Sequence, residues 1–247
     1  MRSPLSSRRR VNAPDAETAD LRWRSLYRIG GAAALFGAAI IPIQLIIFIA
    51  WGQPDSALGW FAMFQDNEFV GLLAFEFLFV VNAALGITTT LALYVALRRA
   101  SQSLMAVALA FGLVEAVCLI VARPALEMLY LSGQYAAATT DAQRAMFLAA
   151  GEVMWAASHG TAFHVGYNLF SAFLLIVAIV MLRSSVFGRV TAYIGILAAL
   201  LNWGLYVPEI GIFLSVLGVF PFFAIWNVLV ARRLFQLGAS TEAASWG

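Results

Sequence analysis

The stretch "SHGTAFHVGYNLF", residues 158–170, holds both histidines of the chain, His159 and His164, with Asn168 just beyond them. Imidazole serves metal binding and proton transfer, so spacing decides what the two can do together. A helix turns about 100° per residue, and His159, five positions before His164, therefore points about 140° away from it. Two metal ligands on one helical face would sit four apart; these do not. His164, Asn168 and Ser171 instead share a face and form a polar stripe, while His159 is expected to mark the membrane surface.

Two carboxylates stand out next. Glu76 and Glu115 lie inside long apolar runs, where a carboxylate is costly unless it is paired, protonated or hydrated. Arg123, His164 and the other carboxylate's proton are the available partners. Asn82 and Asn202 are the further polar side chains singled out inside apolar runs. Counted at about 1.5 Å per residue, Glu76, Glu115, His164, Asn168 and Asn202 fall at similar depth on four segments. They are the candidate lining of a shared polar cavity. The competing reading is that Asn and His only hydrogen-bond a neighbouring helix. Ser171 beside His164 is the one nucleophile–base pair on offer for catalysis.

Other chemistries are excluded by residue type. All fifteen basic residues are Arg; without Lys no Schiff base forms. The single cysteine, Cys118, excludes an intrachain disulfide and any CxxC motif, and suits a small packing residue. No GxSxG, HExxH, Walker A or ExxH pattern is present. No cofactor and no dedicated metal motif is expected. The arginines flank apolar segments and form no basic face for nucleic acid.

The elements that must position these groups follow from composition. The 247 residues are 62% hydrophobic and 11% charged, with a mean hydropathy of +0.87. Soluble domains are about 45–50% apolar and about 25% charged, so the chain reads as an all-α polytopic membrane protein. About 20 apolar residues span the hydrocarbon core. Six segments qualify: 29–51, 69–97, 104–122, 161–182, 190–206 and 210–230. Residues 1–20 are expected to be a disordered cytoplasmic tail, 21–238 the membrane domain, and 239–247 a second cytoplasmic tail. Arg8–Arg10, Arg22, Arg24, Arg28, Arg98, Arg99, Arg183, Arg189, Arg232 and Arg233 all fall on one side of a six-span arrangement. By the positive-inside rule both termini are expected to face the cytoplasm, in an inner (cytoplasmic) membrane.

The opposite loops carry mostly acids. In the long one, Thr140 with Gln143 forms a capping-box pattern, predicting a helix from Asp141 that lies at the interface or merges into span four. Pro124 is expected to kink or end span three. The Trp- and Phe-rich stretch "WGQPDSALGWFAMFQDNEF" suits the membrane–water boundary. Gly30, Ala34 and Ala38, four apart, allow close helix approach.

Five stretches resemble an uncharacterised bacterial integral-membrane family, domain of unknown function 4386. They are "LYRIGG" (Leu26–Gly31), "LALYVALRR" (Leu91–Arg99), "AFGLVEAV" (Ala110–Val117), "VFGRVTAYIGILAAL" (Val186–Leu200) and "WNVLVARRLFQLG" (Trp226–Gly238). The resemblance implies a six-span fold and no established activity. In that family an Arg is common shortly before the Glu of span three; here that position is Gly112.

The functional expectation is a polar cavity, open to the outside, that binds a small molecule or ion, with a link to transport. The alternatives are an accessory membrane protein whose polar groups only pair helices, and an intramembrane enzyme. Against transport stands the near-pure hydrocarbon of the inner half, where Thr88–Thr90 is the only polar cluster.

Overall fold

The computed structural model describes residues 21–239. The tails expected at 1–20 and over most of 239–247 lie outside the described residues. Eleven α-helices are present among the described residues, and no strand. They are α1 (Arg24–Trp51), α2 (Ala57–Asp66), α3 (Glu68–Ala74), α4 (Phe77–Leu97), α5 (Gln102–Val121), α6 (Ala125–Ala137), α7 (Asp141–Ser158), α8 (Thr161–Leu182), α9 (Arg189–Trp203), α10 (Gly211–Leu217) and α11 (Ala224–Ala239). A π-helical segment, Gly218–Phe223, joins α10 to α11.

Five helical stretches are long and apolar enough to cross a membrane: Arg24–Trp51, Phe77–Leu97, Gln102–Ala137, Asp141–Leu182 and Gly211–Ala239. The fifth predicted span is α9, whose 15 residues reach about 22 Å, against a hydrocarbon core of about 30 Å. The second predicted span is two helices, because the chain breaks at Phe75–Glu76. The apolar run continues through that break, so hydropathy does not reveal it.

The bundle is built on close approaches. α1 packs between α4 and α11. A Cβ on Gly30 would lie 2.5 Å from that of Ala92, and one on Gly31 would meet the Phe235 ring. Thr89 Oγ1 donates to the Gly30 carbonyl at 3.2 Å. α5 lies against α4 and α8, and α8 against α9. The bundle core includes Tyr27, Leu93, Leu174, Met181, Trp226 and Leu234.

A second core covers one end of the bundle, here the cap end. α6 and α7 form an antiparallel hairpin with α2 packed on it. Thr140 and Gln143 make the reciprocal capping box at the start of α7. Glu152 Oε1 accepts from the Ala57 backbone N–H that opens α2, at 3.2 Å. Ser132 Oγ donates to the Phe61 carbonyl at 3.0 Å. Trp60, Phe61 and Phe64 are at most 1% exposed. Trp51 and Phe69 of the same stretch are 51% and 69% exposed, as a boundary position requires, whereas these three rings are buried within the protein. They pack on Phe75, Met128 and Trp155, because α6, which the sequence reading did not resolve, gives them an apolar face to bury against.

Candidate functional site

Three helix breaks meet around one guanidinium. The chain is interrupted at Phe75–Glu76, at Ala122–Pro124 and at His159–Gly160. Each break frees backbone carbonyls that need donors. Arg123 Nη1 donates to the Ala122 and Ser158 carbonyls, both at 3.1 Å. Its Nε donates to the Glu76 carboxylate, and the guanidinium lies 5.0 Å above the Phe163 ring. The Arg123 and Glu76 side chains are 14% and 18% exposed. Of the three possible partners for Glu76, Arg123 is the one it meets. Gln44, 0% exposed, donates its Nε2 to the Leu73 carbonyl at 3.1 Å beside the same break. The sequence reading missed Gln44; its signal was a lone amide in an uncharged span.

Glu76 occupies the left-handed region, with φ 62°. For a residue with a Cβ this costs about 1–2 kcal/mol. Glu76→Gly is therefore expected to be more stable than Glu76→Ala by about 1 kcal/mol. This reverses the usual order in helices. Thermal unfolding of both variants in detergent checks it; equal stabilities would show that the conformation is not strained.

Below the ion pair lies a cavity of about 270 Å³, near the lower end of the roughly 300–1,000 Å³ range of small-molecule sites. α1, α4, α5, α8, α10, α11 and the π-segment line it. Its walls are rich in aromatic rings, with Phe79, Phe163, Phe170, Phe173, Phe220 and Phe223 among them. It runs from Glu76 and Arg123 to Thr89, Thr90, Leu93 and Asn227. Thr90 is fourteen residues beyond Glu76, about 21 Å along α4. Thr89 and Thr90, two members of the Thr88–Thr90 cluster, thus mark the deep part of the chamber.

Glu115 lines the chamber. It has no hydrogen-bond or ion-pair partner among the described residues. Gly112, one turn before it, packs against Thr90 and Phe173, so α5 supplies no charge there. Asn82 also lines the chamber, with Gly37 leaving room for its Oδ1.

The other three candidate residues do not line the chamber. His164 Nδ1 lies 3.2 Å from Tyr206 Oη. Asn168 Nδ2 donates to Tyr206 Oη at 2.6 Å and to the His164 carbonyl at 2.8 Å, and Asn168 Oδ1 accepts from Trp203 Nε1 at 3.2 Å. This stripe faces the end of α9. Asn202 accepts from Tyr167 Oη and donates to Ser171 Oγ at 3.1 Å; Ser171 Oγ donates to the Tyr167 carbonyl at 3.0 Å. Ser171 and His164 thus have separate partners and do not contact each other as nucleophile and base. Phe163, Tyr167 and Phe170 form the adjacent stripe of α8, and it is this one that faces the chamber. Tyr167 was missed; the i, i+4, i+7 spacing of these rings was its signal.

His159 ends α7, with its ring on Trp155 at 4.3 Å and Nδ1 2.9 Å from Ser158 Oγ. Cys118 packs beside Gly166. Among the described residues no group of three or more His, Cys, Asp or Glu is gathered for a metal.

A family model described as "Domain of unknown function (DUF4386)" matches residues 26–238. No curated protein and no solved structure matches the chain.

Proposed function

We propose a function for a chain that belongs to the DUF4386 family, a membership that brings no established activity: it binds a small lipophilic molecule within its helical bundle. In this reading it is an inner-membrane protein with six spans, α9 being the short one, and both termini in the cytoplasm. The cap end then faces outward. One observation carries the reading: an aromatic chamber inside the bundle contains a carboxylate, Glu115, that the protein leaves without a partner. A group that serves only to pair helices would be bonded to one.

The accessory-protein reading has its own support. His164, Asn168 and Asn202 are all bonded across helices, as residues that only hold a fold would be. The two readings divide the polar residues between them, and the unpartnered Glu115 supports binding.

Gly86 provides the test. It lines the chamber, and a Cβ there meets nothing within 4 Å. Gly86→Leu should fold as well as the parent while filling the space. Small alkyl and aryl amphiphiles are expected to raise the melting temperature of the parent in nanodiscs and to leave Gly86→Leu unmoved. Equal stabilisation of both proteins would place the binding elsewhere and remove the proposal. Flux in proteoliposomes separates binding alone from binding with transport.

A further inference from the structure

We propose that the chamber's ligand is a lipophilic organic cation, with Glu115 as its counter-ion. The inference rests on the binding reading above and adds the charge of the ligand.

The charges of the chamber wall leave one carboxylate over. Glu76 and Arg123 are bonded to each other and neutralise locally. Arg123 is further tied to two carbonyls and stacked on Phe163. Glu115 is eight residues from it on the helical path, about 12 Å. Arg123 therefore does not serve as the cation for Glu115, and no other described Arg lines the chamber. In a water-poor site an uncompensated carboxylate favours a positive charge far more than it would in water.

The walls match the same ligand. Phe, Tyr and Trp rings present electron-rich faces, and a ligand cation over such a face is held by the ring quadrupole. Tyr167, Phe170 and Phe173 from α8 and Phe220 and Phe223 from the π-segment supply such rings. Part of the wall, with Ala33, Ala34, Ile41 and Leu93, is apolar and takes an alkyl or aryl body. An anion would meet the unpaired Glu115 carboxylate as a like charge, and the chamber's one guanidinium already donates to Glu76, Ala122 and Ser158.

Three probes matched in shape distinguish the classes: octyltrimethylammonium, its neutral tert-butyl isostere, and octanesulfonate. Binding is read by tryptophan fluorescence and melting temperature in nanodiscs of zwitterionic lipid. The parent should bind the ammonium probe about tenfold or more tightly than the neutral isostere. Glu115→Gln should abolish that preference, Glu115→Asp should retain most of it, and Glu127→Gln, at an exposed site outside the chamber, should leave it unchanged. Cooperative melting of each variant shows that it is folded. Equal binding of the ammonium and neutral probes, with both lost in Gly86→Leu, would overturn the cation assignment while leaving the chamber as a binding site. Preference for the sulfonate would overturn it as well. Binding of none of the three would remove both readings.

Discussion

Arg123→Ala is expected to destabilise the protein by about 3–5 kcal/mol, because it leaves a largely buried carboxylate without its partner. The loss is compound. Glu76 loses its ion pair, the Ala122 and Ser158 carbonyls lose a donor, and the Phe163 ring loses its cation. Arg123→Lys keeps the charge but not the planar fork that reaches several acceptors at once, and should fall between Arg123→Ala and the parent. The decisive comparison is the double variant Arg123→Leu with Glu76→Leu. Removing both charges should recover a good part of the stability lost in Arg123→Leu alone, since the orphaned carboxylate goes with it. Strict additivity in detergent melting would mean that the pair is not coupled.

Trp60→Ala is the second large effect. The side chain is 1% exposed, and its ring sits edge-on to Phe75 at 4.7 Å and near Trp155 at 5.8 Å. Truncating a buried Trp costs about 3–5 kcal/mol through lost transfer energy and the void left behind. The damage should concentrate at the cap end. Trp60 belongs to the core formed by α2, α3, α6 and α7 with Ile47 at the end of α1, whereas Leu93, Leu174 and Leu234 belong to the bundle core. Hydrogen exchange should show α2, α6 and α7 losing protection with α1 and α8 nearly unchanged. Uniform loss along the chain would mean that the two cores unfold as one.

What could be read from residues alone follows the kind of signal each feature leaves. Apolar runs write themselves directly, so α1, α5 and α8 were legible to within a few residues. So was the start of α7, since Thr140 and Gln143 sit at a spacing that only a helix start uses. The isolated carboxylates were legible because burying one is costly wherever it points. Direction was harder. The His164–Asn168 face and the Phe163–Tyr167–Phe170 face are one residue apart on α8. Nothing local says which of them meets Tyr206 and Trp203 and which meets the chamber; that depends on how α9 docks. The break before α4 leaves no mark in hydropathy, and the residue in the left-handed region is a Glu rather than the Gly that would have signalled it. α6 was hidden behind Pro124, which ends one helix and, as the N-cap, precedes the next.

The meeting of three helix breaks at Arg123 has a mechanical consequence. Separate kinks would bend independently; kinks fastened to one group share a hinge. α7, eighteen residues and about 27 Å long, is then a lever arm with its short end at Ser158. A tilt of about 10° moves the far tip by roughly 5 Å and turns the Ser158 carbonyl out of line with the Arg123 N–H that it accepts from. Whatever pushes on the tip near Thr140 pulls, at the other end, on the carbonyl that Arg123 holds, and so on the carboxylate at the chamber's rim.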